Sequence, residues 1–478
     1  MSELKRLHPI SAVYHFIKQL KEMIIPILVF VFFSGKGNNG EQISLYISAG
    51  SILIILIGGI LSWLRFTYRI EEDELRIEHG LFIRKKRYIP FERIQSIDFS
   101  EGILHRPLGL VKVTVETAGS GGMGLNEAEA VLTAIAKTEA EAIKEFFTSV
   151  KNYKKMENGA ETKFEEEIIY KISPPELLLL ASTSGGAGVV ISAVFAILSQ
   201  LEEIIPYEKI FSGFEQLIKN GIPFVAIIVF LGFLTAWLIA VIGTMVTYAD
   251  FTVKIVNDDI IISRGLLEKR QITMSLHRIQ AIKISENLIR QPLKYATVII
   301  ESAGGSAVNE ERASVILLPI IRKERISGIL QPFFSDYKPI TDFKPAPKRA
   351  LKRYLIRGWL FIVPCVVLPI IFFLPWGYFS LLLIPVISFW SFLKYKDAGW
   401  SIDNQQLTLR YRGISKNTVF MKKNKIQSLT VKESYFQKKK KLATLDAVVK
   451  SGAGGSGGTV ADLQQEDCYY VYRWYQGK

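Results

Sequence analysis

The feature that most constrains this chain is a series of long apolar stretches whose cores contain no charged residue. A helix needs roughly 20 apolar residues to cross the ~30 Å hydrocarbon core of a bilayer. Five stretches approach or exceed this length, and they are residues 43–64, 177–201, 222–247, 355–375 and 377–393. The alternative is an apolar core of a soluble protein, but uncharged runs of this length are not typical of one. The pattern therefore indicates a multi-pass membrane protein.

Residues 23–33 are also apolar, but they are long enough for only about half a crossing. They are open to three interpretations: a re-entrant segment, a short tilted helix or the core of a signal peptide. No small-residue cleavage site follows, and the next span begins within ten residues, which disfavours a signal peptide. Pairing with residues 43–64 favours a helical hairpin, although full spanning by residues 23–33 stays open.

Basic residues gather at the outer flanks of the span pairs, whereas the connections inside each pair carry few of them. The connection at residues 375–378 has no charged residue, and residues 202–221 contain four glutamates against two lysines. Positive charge concentrates on the cytoplasmic side of membrane spans. We therefore expect a cell-membrane protein with its N-terminus and its large polar segments in the cytoplasm.

The polar segments between the span pairs repeat one another. Residues 66–119 align with residues 251–304 without a gap, at an offset of 185. A more divergent third copy begins near Gly399. Repetition at this scale indicates one structural unit that is used three times.

The repeats define an order of hairpin and then module, three times over. The predicted hairpins are residues 1–64, 171–247 and 353–394, the predicted modules are residues 65–150, 248–335 and 395–478, and the predicted linkers are residues 151–170 and 336–352. Alternation at residues 112–117 predicts a half-buried strand, and a capping box at Thr138 predicts a helix over 138–147. Each module is therefore expected to contain antiparallel strands followed by one amphipathic helix, as a small barrel or sandwich.

One strand motif recurs in all three copies, as Arg93–Ile97, Arg278–Ile282 and Lys425–Leu429. With the order of modules, this motif resembles the bacterial pleckstrin-homology-like membrane family in its three-module form, over nearly the whole chain. The resemblance implies an α+β membrane protein with three transmembrane helical hairpins. Each hairpin would precede a pleckstrin-homology-like (PH-like) β-barrel of seven strands with a C-terminal helix. It also implies a smaller one-hairpin homologue as partner, a link to envelope defence, and no enzyme activity.

Clusters of basic residues are the candidate contact sites. The chain has 59 Lys and Arg against 45 Asp and Glu, and this net charge of +14 suggests an anionic partner. The candidates for contact with anionic membrane lipids or a partner are Arg84, Lys85, Lys86, Arg87, Lys269, Arg270, Lys422, Lys423, Lys425, Lys438, Lys439, Lys440 and Lys441. Topology or general solvation is the alternative for the cluster at 84–87. The stacking aromatics of an RNA-binding module are missing, so no nucleic acid is expected.

A second recurring set lies in the repeated strand and is interpreted as structural. It comprises Arg93, Gln95, Arg278, Gln280, Lys425 and Gln427. A half-buried amide can satisfy backbone groups where a barrel bends, and ligand contact is the alternative. His105 is compared with Gln291 and Gln437 and is interpreted as incidental.

Residues suited to catalysis or metal binding are scarce. Two cysteines cannot build a disulfide framework or a cysteine-based zinc site, and five histidines leave little material for metal or acid-base chemistry. Gly119–Gly124 has the spacing of a dinucleotide fingerprint, but a strand-like segment follows it where a helix is required. The motif Gly454–Gly458 lacks the downstream histidine of a nucleophile elbow. We therefore expect no catalytic residue, cofactor or metal.

Together these patterns predict a non-enzymatic membrane scaffold, whose cytoplasmic modules bind anionic lipid headgroups or a partner protein in envelope defence. Two alternatives stay open. A transporter or immunity pump for membrane-active peptides is weakened because the cores of the spans lack charged residues. A pure protein-assembly scaffold would ignore lipid headgroups.

Overall fold

The computed structural model describes most of the chain. It covers residues 4–23, 40–117, 130–157, 166–192, 222–303, 314–338, 342–372, 376–451 and 454–477, apart from residues 18, 21, 22, 72, 73, 82, 104, 187, 189, 257, 335 and 336. The predicted segment 23–33 lies outside these residues except for Met23, as does the end of the predicted span 177–201. Contacts divide the chain into two compact units: residues 1–168 with 254–276, and residues 169–253 with 277–478.

Within the described ranges, four helices are long and apolar enough to cross a membrane. These candidate spans are Tyr46–Arg65, Val229–Tyr248, Lys348–Phe372 and Gly377–Asp397. The α-helices are α1 (Gly40–Arg65), α2 (Lys137–Glu157), α3 (Pro174–Ser182), α4 (Ile222–Tyr248), α5 (Lys323–Leu330), α6 (Leu351–Phe372), α7 (Leu383–Asp397), α8 (Tyr435–Lys439) and α9 (Gln465–Gln476). The expected membrane protein is thereby confirmed in its helical part.

Within the described residues, each module contains seven strands, in a first sheet of four and a second sheet of three. The first sheets are β1 (Lys5–Arg6), β2 (Thr67–Glu71), β3 (Glu74–His79) and β4 (Lys85–Pro90); β8 (Glu166–Lys171), β9 (Thr252–Val256), β10 (Asp259–Arg264) and β11 (Lys269–Ser275); and β15 (Lys344–Pro345), β16 (Gly399–Asp403), β17 (Gln406–Arg412) and β18 (Lys416–Lys422). The second sheets are β5 (Ile94–Glu101), β6 (Leu110–Thr117) and β7 (Ala130–Ala136); β12 (Ile279–Glu286), β13 (Tyr295–Ser302) and β14 (Ser314–Arg322); and β19 (Ile426–Lys432), β20 (Leu442–Ser451) and β21 (Gly454–Gln464). The α+β class with three PH-like modules is confirmed.

Each hairpin lies between the first and second strands of its own module. β1 pairs with β2, and β15 pairs with β16, through Lys344 opposite Trp400. β8 is likewise hydrogen-bonded to β9. The ranges interpreted as linkers, 151–170 and 336–352, therefore contain β8 and β15. A strand of two residues has no periodicity of its own, so only its partner across the hairpin defines it.

Among the described strands, the two sheets of a module do not join into a closed barrel, and the expected module differs from the structure in this detail. The edge strands β5 and β12 pair with the following module instead, β5 with β11 and β12 with β18. An edge strand exposes unpaired N–H and C=O groups, and this pairing satisfies them. Modules one and two are thus joined through one seven-stranded sheet, and modules two and three through another.

The repeated glutamine marks a β-bulge at the same place in every second sheet. The register shifts between Ile94 and Ser96 in β5, and it shifts at the equivalent places around Gln280 and Gln427. Gln280 is buried, and its Nε2 donates to the carbonyl oxygen of Arg278 at 3.0 Å. Gln427 is exposed, because β19 has no neighbour among the described strands on that side. The side chain of Gln95 lies outside the described set.

A helix closes the core of the third module. Cys468 and Val471 of α9 are fully buried among Leu442, Leu445 and Leu463 of the second sheet. Burial raises the pKa of Cys468 to about 12. At neutral pH this thiol is therefore both protonated and inaccessible, and it becomes a probe of the module's integrity.

We expect Gln280→Ala to lower the free energy of unfolding by about 1 kcal/mol, because it removes the buried amide that donates to the Arg278 carbonyl. The matched variant Gln427→Ala removes an exposed amide at the same bulge and should stay within about 0.5 kcal/mol. Both are measured in a Cys365→Ser chain in detergent, by heating with a thiol-reactive dye that reports exposure of Cys468. Equal midpoints for the two variants would contradict the structural role of Gln280.

Candidate membrane-surface site

Each module carries an eight-residue loop between the first and second strands of its second sheet. We call residues 102–109, 287–294 and 434–441 the docking loops. In each, the fourth residue donates its backbone N–H to the carbonyl of the first. Each ends on a residue with left-handed backbone, and these are Gly109 (φ 62°), Lys294 (φ 59°) and Lys441 (φ 51°). The three loops are therefore structurally equivalent despite their different residues.

The fourth residue of each docking loop is His105, Arg290 or Gln437, and all three are buried. The offset of 185 likewise matches His105 with Arg290, so its comparison with Gln291 is corrected. The interpretation of His105 as incidental is corrected too, because this position connects to the first helix of the module's own hairpin, directly in modules one and two and through Asp462 in module three.

In module two, Arg290 makes the contact through its guanidinium. Its Nε donates to Thr183 Oγ1 at 2.7 Å, and its Nη2 donates to the Leu180 carbonyl at 3.2 Å, at the end of α3. Nη1 donates to Thr297 Oγ1 at 3.0 Å in β13. Burial lowers the pKa of Arg290 from its usual value. One side chain thus joins the C-terminal end of α3 to the second sheet.

In module three, the contact runs through a buried carboxylate. Gln437 Nε2 donates to Asp462 Oδ1 at 2.9 Å, and Asp462 is fully buried in β21. Arg353 and Arg357 at the base of α6 bind the same carboxylate, at 2.7 and 2.6 Å. Arg349 Nη2 also donates to the Lys441 carbonyl at 3.1 Å. The third docking loop is therefore joined to α6 through Asp462, and to the turn just before α6 through Arg349.

In module one, aromatic and polar contacts attach the docking loop to the first helical segment of the hairpin. His105 Nε2 lies 2.8 Å from the Thr133 carbonyl oxygen, and the ring meets that of Tyr14 edge-on at 5.9 Å. Tyr14 belongs to the helical residues 10–17. Lys112 Nζ donates to the Tyr14 hydroxyl at 3.2 Å.

The docking loops expose large apolar side chains beside these contacts. The exposed residues are Ile103 and Leu108 in the first loop, Leu288, Ile289 and Leu293 in the second, and Tyr435 and Phe436 in the third. Tyr435 and Phe436 are 78% and 68% exposed, and Lys438 to Lys441 are exposed directly after them. The third loop therefore combines aromatic rings and cations, the residue types typical of a membrane–water interface.

The predicted basic residues of modules one and two lie away from the docking loops, at the start of β4 and β11. Arg84 pairs with Glu78, and Lys86 Nζ lies 3.4 Å from the same carboxylate. Burial acts to raise the pKa of Glu78, but Arg84 and Lys86 outweigh it and hold that pKa below its usual value. Lys85 is exposed and Arg87 is half-buried.

In module two, Lys269 is exposed and faces Glu101 in the register of β11 and β5. Arg270 Nε lies 2.9 Å from Glu268 Oε1. These cations therefore belong to a strand pairing rather than to the docking loops. Of the repeated motif, Arg93 is exposed and Arg278 is half-buried.

The other basic residues of module three pack against the protein. Lys422 Nζ lies 5.1 Å from the centre of the Tyr337 ring, and Lys423 Nζ lies 5.3 Å from that of Trp474. Lys425 Nζ lies 3.4 Å from the His277 carbonyl oxygen. The structure thus separates these half-buried lysines from the exposed run 438–441, which the sequence groups together.

A cavity of about 440 Å³ opens where α6 and α7 meet the first sheet of module three. It is lined among others by Tyr354, Arg357, Trp390, Lys394, Tyr411 and Arg412, and none of the described lining residues is Asp or Glu. The Arg412 side chain is 1% exposed. Its Nε binds Asp397 and its Nη2 donates to Gln291 Oε1, whereas Nη1 has no hydrogen-bond partner among the described residues. The cavity therefore presents cations at the base of a membrane hairpin.

The helices and modules define the class of a multi-pass membrane protein with three PH-like repeats. The chain belongs to the Bacterial PH domain family, whose model matches residues 23–150, 192–332 and 360–478. It is similar to the UPF0699 transmembrane protein YdbT of Bacillus subtilis (strain 168), with 40% identity over 494 aligned residues. The match covers 99% of this chain and 98% of that protein, which confirms the resemblance to the three-module form. No solved structure matches the chain.

We expect Asp462→Asn to destabilise unit two by about 2 kcal/mol, because Arg353 and Arg357 lose their shared anion. The control Asp446→Asn alters a partly exposed carboxylate in the neighbouring strand β20 and should cost less than about 1 kcal/mol. Hydrogen exchange at residues 434–441 and thiol exposure of Cys468 measure the effect. Unchanged exchange in Asp462→Asn would show that the carboxylate does not hold the third docking loop.

Proposed function

We propose that this protein is a non-enzymatic scaffold in the cell membrane whose cytoplasmic modules bind anionic lipid headgroups. The observation that carries the proposal is the third docking loop, where exposed Tyr435 and Phe436 precede the exposed lysines 438–441 at the base of α6. The equivalent loops of modules one and two expose apolar residues and would enter the same interfacial layer without this charge.

The electrostatic free energy of its lysines favours the third docking loop as the lipid-selective one. Each lysine near an anionic leaflet contributes about 1 kcal/mol, so four give a bias of about 4 kcal/mol before losses of side-chain freedom. Surface charges of this kind are screened by salt, because the Debye length falls from about 10 Å at 0.1 M to about 3 Å at 1 M. The aromatic pair is insensitive to salt and would keep the loop near the membrane when the charges are screened.

The basic cavity is the second element of the proposal. A phosphate group matches the ammonium of Lys394 in charge, and Arg412, which is already paired with Asp397, would have Nη1 left to donate to it. The resemblance adds two further parts, a smaller one-hairpin homologue as partner and a contribution to envelope defence.

We expect Lys438, Lys439 and Lys440 to be protected from amine-reactive reagents in nanodiscs that contain phosphatidylglycerol, and to react freely in phosphatidylcholine nanodiscs. Protection should fall at 1 M salt. The full chain is compared by mass spectrometry, with Lys85 of β4 as an internal control that should react equally in both lipids. Equal reactivity of the lysines of the docking loop in both lipids would favour a pure assembly scaffold instead.

Lys394→Gln is expected to reduce the anionic phospholipid that stays bound to the purified protein, because it removes a cation from the lining of the cavity. Lys396→Gln is the matched control, since Lys396 is exposed two residues further along α7 and does not line the cavity. Native mass spectrometry of the full chain counts the bound lipids. Identical counts for the two variants would exclude the cavity as a headgroup site.

A further inference from the structure

The repeated sheets leave two complementary edges without a neighbour. Within the chain, the first strand of a second sheet pairs with the last strand of the following first sheet, as β5 with β11 and β12 with β18. β4 is the equivalent of β11 and β18, and β19 is the equivalent of β5 and β12. Among the described strands, β4 and β19 each lie at the end of their sheet.

Both internal pairings use the same register. Glu101 of β5 faces Lys269 of β11, and Glu286 of β12 faces Lys416 of β18. The second of these pairs brings Lys416 Nζ to 3.7 Å from Glu286 Oε1. Lys269 and Lys416 each lie seven residues before the short 3-10 helix that follows their strand. Opposite charges thus face each other at one end of the same strand alignment twice, and Lys416 and Glu286 form an ion pair there.

The residues at the equivalent positions of the two free edges carry matching charges. Glu433 follows β19 at the position of Glu101 and Glu286, and Arg84 lies seven residues before the helix that begins at Phe91. Glu433 Oε1 is buried without a hydrogen-bond partner among the described residues. The Arg84 side chain is 68% exposed, although it also contacts Glu78.

We propose that β19 of one copy pairs antiparallel with β4 of a second copy, in the register that the internal modules use. Glu433 then faces Arg84, and the pairing runs to Ser428 opposite Ile89. The hydrogen-bonding groups of both edges would be satisfied as they are between modules. The proposal concerns assembly and does not depend on lipid binding.

The aligned side chains fit this pairing. Leu429 faces Tyr88, which is 55% exposed, and Val431 faces Lys86. Lys432 faces Lys85, but Lys432 Nζ already lies 3.0 Å from Asp446 Oδ2, which offsets the like charge. Because the two surfaces differ, the contact is head-to-tail, and successive copies form a ring or a row.

The test uses the full chain with Cys365→Ser, while Cys468 stays buried. Thr430→Cys and Arg87→Cys face each other in the proposed register, and directly opposite residues have Cβ atoms close enough for a disulfide. Mild oxidation of the double variant in native membranes should produce a ladder of dimers and higher multiples. A mixture of the two single variants should stop at the dimer.

The control for register pairs Thr430→Cys with Lys86→Cys, because a shift of one residue turns the side chain to the other face of the sheet. We expect at least a fivefold lower yield from this control. Absence of a ladder, or equal yields from both double variants, would overturn the proposal. Loss of the ladder when a smaller homologue is present would also overturn the proposal, because the homologue would then occupy one of the two edges.

A charge exchange gives an independent measurement. Glu433→Lys and Arg84→Glu should each reduce the multimers captured by an amine-independent crosslinker, and the combined variant should restore them. Protection of Cys468 verifies that module three is folded, and hydrogen exchange at residues 74–90 does the same for module one. Failure of the combined variant to recover multimers would contradict the pairing of Glu433 with Arg84.

Discussion

The arrangement of each module depends on the strand pair that encloses its hairpin. β1 and β2 flank the first hairpin, β8 and β9 the second, and β15 and β16 the third. In module three, the helix pair α6 and α7 begins and ends beside the adjacent strands β15 and β16, and this pairing restricts its tilt relative to that sheet. The docking loop adds a second attachment to the first helix, directly through His105 or Arg290, and in module three through Gln437 and Asp462. Two attachments far apart in sequence fix the module more firmly than a flexible linker would.

The three docking loops are attached to the first helices of their hairpins by different chemical groups. Arg290 satisfies carbonyl and hydroxyl oxygens at the end of α3, whereas Gln437 acts through the buried Asp462. A buried carboxylate is costly unless it is paired, and Arg353 and Arg357 neutralise this one. Their side chains extend from the base of a membrane helix, so the charges that mark topology in the sequence also hold module three in place.

Sharing of sheets between modules explains why the barrels stay open. It also explains why the repeated glutamine is buried in one module and exposed in another. The bulge bends the first strand of each second sheet, and that strand then finds its partner in the next module. Gln280 becomes buried by this pairing, and Gln427 stays exposed at the end of the series. The same sequence motif therefore has two environments, which depend on whether another module follows.

The amino-acid sequence by itself determined the membrane class, the three repeats and the order of antiparallel strands and a C-terminal helix in each module. These features rest on local signals, namely hydrophobic length, periodicity and an offset of 185 residues. Only the tertiary structure decided that hairpins are inserted between strands and that neighbouring modules share sheets. It also showed that His105 and Arg290 occupy the same loop position and contact the first helix of their hairpins. It also separated Lys422, Lys423 and Lys425, which pack against the protein, from the exposed run at 438–441. Non-local strand pairing and burial determine these features. A two-residue strand or a single polar residue has no periodic sequence pattern from which they could be predicted.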